Sequence, residues 1–274
     1  MTQPIKVGAV AYDPKVSVIW DIIAGFFRSQ GTAIEVVLFS DYTLQVDALA
    51  AGEIDIAWNS PLAWLDTERR VSGHVRAFAM RDTDRDRETY FVVRSDSGIE
   101  ALEDLRGKTV ALGAEDSPQA TLIPLAVLAR AGLQEDRDFE ARRFNIAVGK
   151  HGDHVGGELD AFKALATGEV DASAMLDLNW DLWRQDGTVD PSRFRILSST
   201  GKFDHCVFAA GSTLSEADEK RWLDALFAMS YDNPDHRRMM DLEGLKAWLP
   251  ARTTGFALLQ EAVKTQRFFE ATQH

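Results

Sequence analysis

Apolar residues in this chain follow two rhythms. Apolar runs of about four to eight residues mark buried strands, and apolar residues three and four apart mark helices. Residues 5–11 and 34–39 are runs of the first kind, and 16–29 carries Val18, Ile22, Ile23, Phe26 and Phe27 at helical spacing. The alternation continues with a helix at 43–51, a strand at 54–58, a helix at 61–70 and strands at 75–80, 89–94 and 109–112. It goes on through a helix at 119–131, a strand at 142–146, a helix at 159–167, a strand at 170–176, a short helix at 180–185 and strands at 194–198 and 206–209. Helices at 216–230, 234–242 and 255–269 close the chain. Such alternation predicts α/β sheets that are largely parallel and covered by helices on both faces.

One phrase occurs twice. Residues 51–61 read AGEIDIAWNSP and 167–176 read TGEVDASAML. Each is a helix end, a Gly that frees the chain to turn at positive φ, an acidic pair around an aliphatic residue, and a small apolar strand. Two copies predict two doubly wound, Rossmann-like lobes. The first is expected to be discontinuous, 1–88 plus 206–274, and the second inserted, 89–205. Two crossing strands, 89–94 and 206–209, would join them and let the lobes close on a small ligand. Ligands of such sheets sit beyond the carboxyl ends of the strands, which points to Asn59 and Ser60 after one phrase and Asp177 after the other.

Composition narrows the partners. The chain has 274 residues, 45% hydrophobic and 27% charged, with a net charge of −13. No basic excess is present to neutralise phosphates, which argues against nucleic acid or an anionic membrane surface. Cys206 is the single cysteine, so no intramolecular disulfide is expected. No run of about 18 apolar residues predicts a transmembrane segment. The N-terminus, MTQPIKVGAVAYDP, has no signal-peptide pattern. The chain is therefore expected to be cytoplasmic, or periplasmic if a signal peptide has been removed.

Several segments, in this order, resemble the phosphate/phosphite/phosphonate-type substrate-binding proteins of ABC transporters. These are VGAVAYDP with Tyr12 at its tip, GEIDIAWNSPLAW, DLRGKTVALG, DSPQATLIPLAVLARAGL, and the tail ADEKRWLDALFAM with GLKAWLPA. The resemblance covers nearly the whole chain. It implies a type II periplasmic-binding-protein fold, a small anionic ligand and a permease partner. The chain departs from the family pattern at Ser117-Pro118-Gln119-Ala120-Thr121, where hydroxyl and glycine residues are usual. It departs again at Glu158, where a His-Asp pair is usual. An acidic Glu158 repels a phosphonate, so the expected ligand class widens to phosphate-like and related oxyanions and carboxylates.

Ser117 is placed to cap a helix begun by Pro118. The N–H groups of Gln119, Ala120 and Thr121 would then meet an anion. Tyr12 and Asp13 follow the first strand and are candidate ligand contacts. Ser60 is a second candidate cap. His151, Asp153, His154 and Glu158, with Asp204, His205 and Cys206 far downstream, are the residue types that hold zinc or a similar ion. His151, His154 and His205 are the metal candidates, and His154 and His205 are also candidate contacts to an organic ligand. No cofactor is expected, with room left for a divalent metal. Cys206 and His205 are not expected to form a dyad, because neighbours on a strand point to opposite faces. Asp55 and Asp171 read as strand-entry residues, and 81–87 as a solvated loop. None of the common catalytic motifs occurs: no GxSxG, GxxxxGK[ST], GxGxxG or HExxH. The reading is a solute-binding protein that closes two lobes on a small anion for ABC-type uptake. The alternative is a cytoplasmic decarboxylase- or hydrolase-like enzyme using His151, His154 and His205. A cytoplasmic sensor or scaffold is a third reading.

Overall fold

The computed structural model describes residues 3–71, 75–151 and 156–271. The chain divides into two compact units, 1–85 with 204–255 and 86–203 with 256–274. In unit 1 the elements are β1 (Ile5–Val10), α1 (Lys15–Ser29), β2 (Ile34–Phe39), α2 (Tyr42–Ala50), β3 (Ile56–Asn59), α3 (Pro61–Arg70) and β4 (Arg76–Arg81). Unit 2 contributes β5 (Thr89–Arg94), β6 (Thr109–Leu112), α4 (Ile123–Arg130), β7 (Glu140–Arg143), α5 (Gly156–Thr167), β8 (Ala172–Leu176), α6 (Asp177–Gln185) and β9 (Phe194–Ser199). The chain returns to unit 1 for β10 (Val207–Ala210), α7 (Glu216–Phe227), α8 (Pro234–Glu243) and β11 (Trp248–Pro250), then ends in unit 2 with α9 (Ala257–Thr265) and α10 (Phe268–Ala271).

The unit 1 sheet has the order β11-β4-β10-β3-β1-β2 and the unit 2 sheet the order β7-β6-β8-β5-β9. β1 is parallel to β2 and β3, and β10 is antiparallel to β3 and β4. β6 is parallel to β7 and β8, and β5 is antiparallel to β8 and β9. The carboxyl ends of β1, β3 and β4 and the start of β10 therefore share one end of the first sheet. The carboxyl ends of β6, β8 and β9 and the start of β5 share one end of the second. Both faces of the second sheet are buried. Val92 and Met175 face Phe162, Trp180, Trp183 and Phe194, while Phe91, Val93, Ala172 and Ala174 face Leu105, Leu128 and Leu133. Trp180 and Trp183 are thus core residues. The core of unit 1 gathers Trp20, Trp58, Trp222 and Trp248 around Phe208.

The repeated phrase performs the same task in each unit. Gly52 and Gly168 turn at φ +71° and +79°. The Asp55 N–H then donates to the Lys6 carbonyl at the start of β1, and its carboxylate accepts the Lys6 N–H at 2.9 Å. Asp171 does the same to Thr109 at the start of β6, its carboxylate accepting the Thr109 N–H at 3.0 Å. Both aspartates pin strand register.

Four expectations differ from the structure. First, the tail from Phe256 belongs with unit 2, so the chain passes between units three times, not twice. α9 docks on α4: Arg130 Nε donates to Glu261 at 2.8 Å, and Gln266 Nε2 donates to the Leu122 carbonyl at 2.8 Å. Second, the expected helix at 255–269 breaks at Arg267, which sits at φ +51°. Third, the helix expected from 119 starts as a wide π turn, Pro118–Leu122, before α4. Pro124 has no N–H to give the Ala120 carbonyl, which instead accepts from Gly113 N at 3.2 Å. Fourth, the strand expected at 142–146 runs earlier, as β7.

Candidate functional site

In unit 2 the polar groups gather where β6 and β8 end. Ser117 Oγ accepts the Ala120 N–H at 3.1 Å, and the Ser117 carbonyl accepts from Thr121 N at 3.1 Å and Leu122 N at 2.9 Å. Ser117 is therefore the cap expected, but the N–H groups of Ala120 and Thr121 are consumed within the turn. They are not donors for an anion. The side chains take that place. Gln119 and Thr121 are each 1% exposed, and the Gln119 amide and Thr121 hydroxyl have no hydrogen-bond partner. The backbone carbonyl of Gln119 is tied to Thr89 Oγ1 at 2.8 Å, which fixes where the residue sits.

Glu158 lies in the first turn of α5, also 1% exposed. Its Oε2 accepts from Leu176 N and from Asn179 Nδ2, both at 2.8 Å, while Oε1 is unpartnered. Burial pushes its carboxyl up to about 7, against the pull of these donors. The Gln119 amide is near enough to stabilise the carboxylate without the geometry of a formed hydrogen bond. Gly157 lets the start of α5 pack against the end of β6: a Cβ there would lie 2.5 Å from the Phe144 carbonyl oxygen and 3.0 Å from Gly113 Cα. Asp177 opens α6, its carboxylate accepting from Leu178 N at 2.8 Å, and pairs with Arg87 at 3.3 Å; burial raises its carboxyl. Asp116, unremarked in the sequence, is buried beside Ser117. Its Oδ2 accepts from Gly149 N at 2.6 Å, its Oδ1 has no partner, and burial raises its carboxyl too. His151 closes the same loop at φ +54°. His154 and Asp153 lie outside the described residues.

In unit 1 the candidates behave differently. Tyr12 is half-buried against the core, with Lys15 Nζ 5.8 Å from its ring centroid. Asp13 is exposed and its carboxylate accepts from Lys15 N at 2.8 Å, a turn role at the head of α1. Asn59 is fully buried with both amide heteroatoms bonded, accepting from Gln45 Nε2 at 2.9 Å and donating to Thr67 Oγ1 at 3.2 Å. Its position as a ligand contact is not supported by that geometry. Ser60 caps α3, its Oγ accepting from Ala63 N at 3.1 Å.

The segment 204–206 is irregular and precedes β10. Strand alternation therefore does not apply. His205 Nδ1 and Cys206 Sγ lie 3.1 Å apart, in contact where none was expected. His205 Nδ1 is also 3.6 Å from Asp84 Oδ1. The stretch 81–87 is likewise not simply a solvated loop. Arg81 and Asp84 are buried and paired through Nε–Oδ2 at 2.7 Å and Nη2–Oδ1 at 2.8 Å, and Arg81 Nη1 reaches Glu243 at 2.8 Å. Burial alone would raise the Asp84 carboxyl, but Arg81 overrides it and holds Asp84 well below the usual range. Among the described residues His151 does not join this group. No local signal could have found it, because Asp84 and His205 are far apart in sequence.

A family model described as ABC transporter, phosphonate, periplasmic substrate-binding protein matches residues 23–255. The chain belongs to this family. A relative, the phosphate-import protein PhnD of Mycolicibacterium smegmatis, is 25% identical over 215 residues, 74% of this chain; the chain spans 62% of that protein's length. A solved structure of XAC2383 from Xanthomonas citri, bound to ATP, aligns with TM-score 0.74 and 21% identity over 99% of this chain and all of its own. PhnD1 from Prochlorococcus marinus, in complex with methylphosphonate, aligns with TM-score 0.72 and 17% identity over 96% and 98%. Both likenesses establish the fold, the binding-protein α/β architecture expected. The family is one of substrate-binding proteins. Among the described residues no helix is long and apolar enough to cross a membrane.

Proposed function

We propose that this chain is the solute receptor of an ABC-type uptake system and takes a small phosphonate-, phosphite- or phosphate-like oxyanion. Its place of work is then the periplasm, and its partner a membrane permease. The observation that carries the reading is the set of buried, unpartnered polar atoms in unit 2: the Gln119 amide, the Thr121 hydroxyl and Glu158 Oε1. A buried polar group without a partner costs about 1–3 kcal/mol, so three in one neighbourhood mark a place that a ligand fills. The amide and hydroxyl offer donors to an oxyanion, and the Glu158 carboxyl, neutral below about pH 7, donates as well. Protonation also removes the repulsion expected of an acidic residue beside an anion. In this reading Ser117 and Asp177 position the site and do not touch the ligand. A second reading, an enzyme on this fold, finds no observation in its favour. Its histidines are divided, His205 in unit 1 and His151 in unit 2.

The test is a thermal-shift screen of phosphate, phosphite, methylphosphonate, alkyl sulfonates and carboxylates on metal-stripped protein. A ligand that binds only the folded chain raises its melting temperature. A shift with a phosphorus oxyanion that disappears in Gln119→Leu supports the reading. A shift confined to carboxylates or sulfonates overturns the ligand class.

A further inference from the structure

The group Asp84, His205 and Cys206 has no part in the site just described, yet it brings an oxygen, a nitrogen and a sulfur donor together inside unit 1. The three donor atoms lie within 4.8 Å of one another, and the residues are 1%, 6% and 5% exposed. We infer that these three side chains form a site for one divalent zinc-type ion, held at the carboxyl end of the unit 1 sheet.

Three observations converge on it. The first is spacing. Zinc binds nitrogen and oxygen at about 2.0–2.2 Å and thiolate at about 2.3 Å, so neighbouring corners of its tetrahedron stand roughly 3.3–3.6 Å apart. The separations here are 3.1 Å from Nδ1 to Sγ and 3.6 Å from Nδ1 to Oδ1, close to those edges before any ion draws the ligands into place. The second is donor chemistry. A carboxylate, an imidazole and a thiolate suit a borderline ion and poorly suit magnesium or calcium, which take oxygen. The third is charge. One guanidinium, Arg81, faces two carboxylates, the buried Asp84 and the half-buried Glu243. One negative charge is left over, and a Cys206 thiolate would add another. A divalent ion balances both. Asp84 is already hydrogen-bonded by Arg81 and by Cys206 N at 3.1 Å, which fixes its orientation as the outer partners of metal ligands do. Binding takes the proton from Cys206 to solvent, so affinity rises with pH. His205 and Cys206 follow directly on the passage of the chain into unit 1 at 203–204, and Asp84 precedes its exit at 85–86. The ion would clasp these two segments together.

The experiment is titration of chelator-stripped protein with Zn(II) against a chromophoric chelator, with Co(II) as a spectroscopic probe. The expected result is about one ion per chain, a thiolate-to-cobalt charge-transfer band, and a higher melting temperature with zinc. His205→Gln and Cys206→Ser should each weaken zinc binding more than about tenfold, the least that disturbing even an outer partner costs. His151→Gln should leave it unchanged. Should either variant fail to fold, alkylation of Cys206 in the wild-type protein serves instead and should abolish the cobalt band. Absence of zinc uptake, or uptake that survives loss of His205 and Cys206, overturns the site.

Discussion

Asn59, the last residue of β3 in unit 1, and Gln119, in the turn that follows β6 in unit 2, are both buried amides, and their surroundings are opposite. Asn59 is bonded to Gln45 and Thr67 on both sides. Gln119 is 1% exposed with neither amide atom bonded. The contrast extends outward. In unit 1 as well lies the Arg81–Asp84–Glu243 network, where one guanidinium bridges both carboxylates. Near Gln119 lie Thr121, Glu158 and Asp116, each with an unpartnered buried oxygen. The contrast is local to these two neighbourhoods. Around Asn59 the side chains bond to one another, whereas around Gln119 several buried polar atoms stand unpartnered. Substitution should separate the two uses.

The largest effect is expected at Arg81. Arg81→Met leaves the buried Asp84 and the half-buried Glu243 without their cation and should cost about 3–5 kcal/mol in denaturant unfolding. Glu158 comes next. Its folded pKa, raised to about 7, exceeds its unfolded value, so between roughly pH 4.5 and 7 the unfolded chain holds fewer protons than the folded one. Stability contributed by the neutral carboxyl is present below that window and is lost as pH rises through it, up to about 3 kcal/mol in the limit. Denaturant midpoints measured across pH should decline there in the wild-type protein and flatten in Glu158→Gln. Asn59→Ala should cost about 2 kcal/mol, because Gln45 and Thr67 lose a buried partner. Gln119→Leu should change the unliganded stability by less than about 1 kcal/mol in either direction, since the amide forms no hydrogen bond of good geometry there. Equal losses at Asn59 and Gln119 would erase the contrast.

The strand-entry duty of Asp55 and Asp171 was legible because it is local: a glycine, a turn and a strand in one phrase. The alternation of elements was legible for the same reason, and the family followed from the order of its motifs. What escaped the sequence depends on tertiary placement. From sequence the turn after Ser117 reads as an ordinary helix start, with its N–H groups open to a ligand. Pro124, seven residues on, redirects the Ala120 carbonyl and widens the turn, so side chains replace backbone as the unpartnered groups. Arg81 and Asp84 sit in a run of alternating charges that reads as solvated, and only β10 and α8 packing around them makes them interior. The strand expected at 206–209 begins one residue later, and that single residue decides whether the His205 and Cys206 side chains part or meet. The tail from Phe256 carries no mark of the unit it joins, because its partner α4 lies more than a hundred residues away.

The most direct test of the division is calorimetric titration of phosphite, phosphate and methylphosphonate into wild-type protein, Gln119→Leu and Asn59→Ala at a pH below 7. The account predicts one ligand per chain, an affinity loss of at least tenfold (about 1.4 kcal/mol) in Gln119→Leu despite intact stability, and near wild-type affinity in Asn59→Ala despite lowered stability. Full affinity in Gln119→Leu would contradict it.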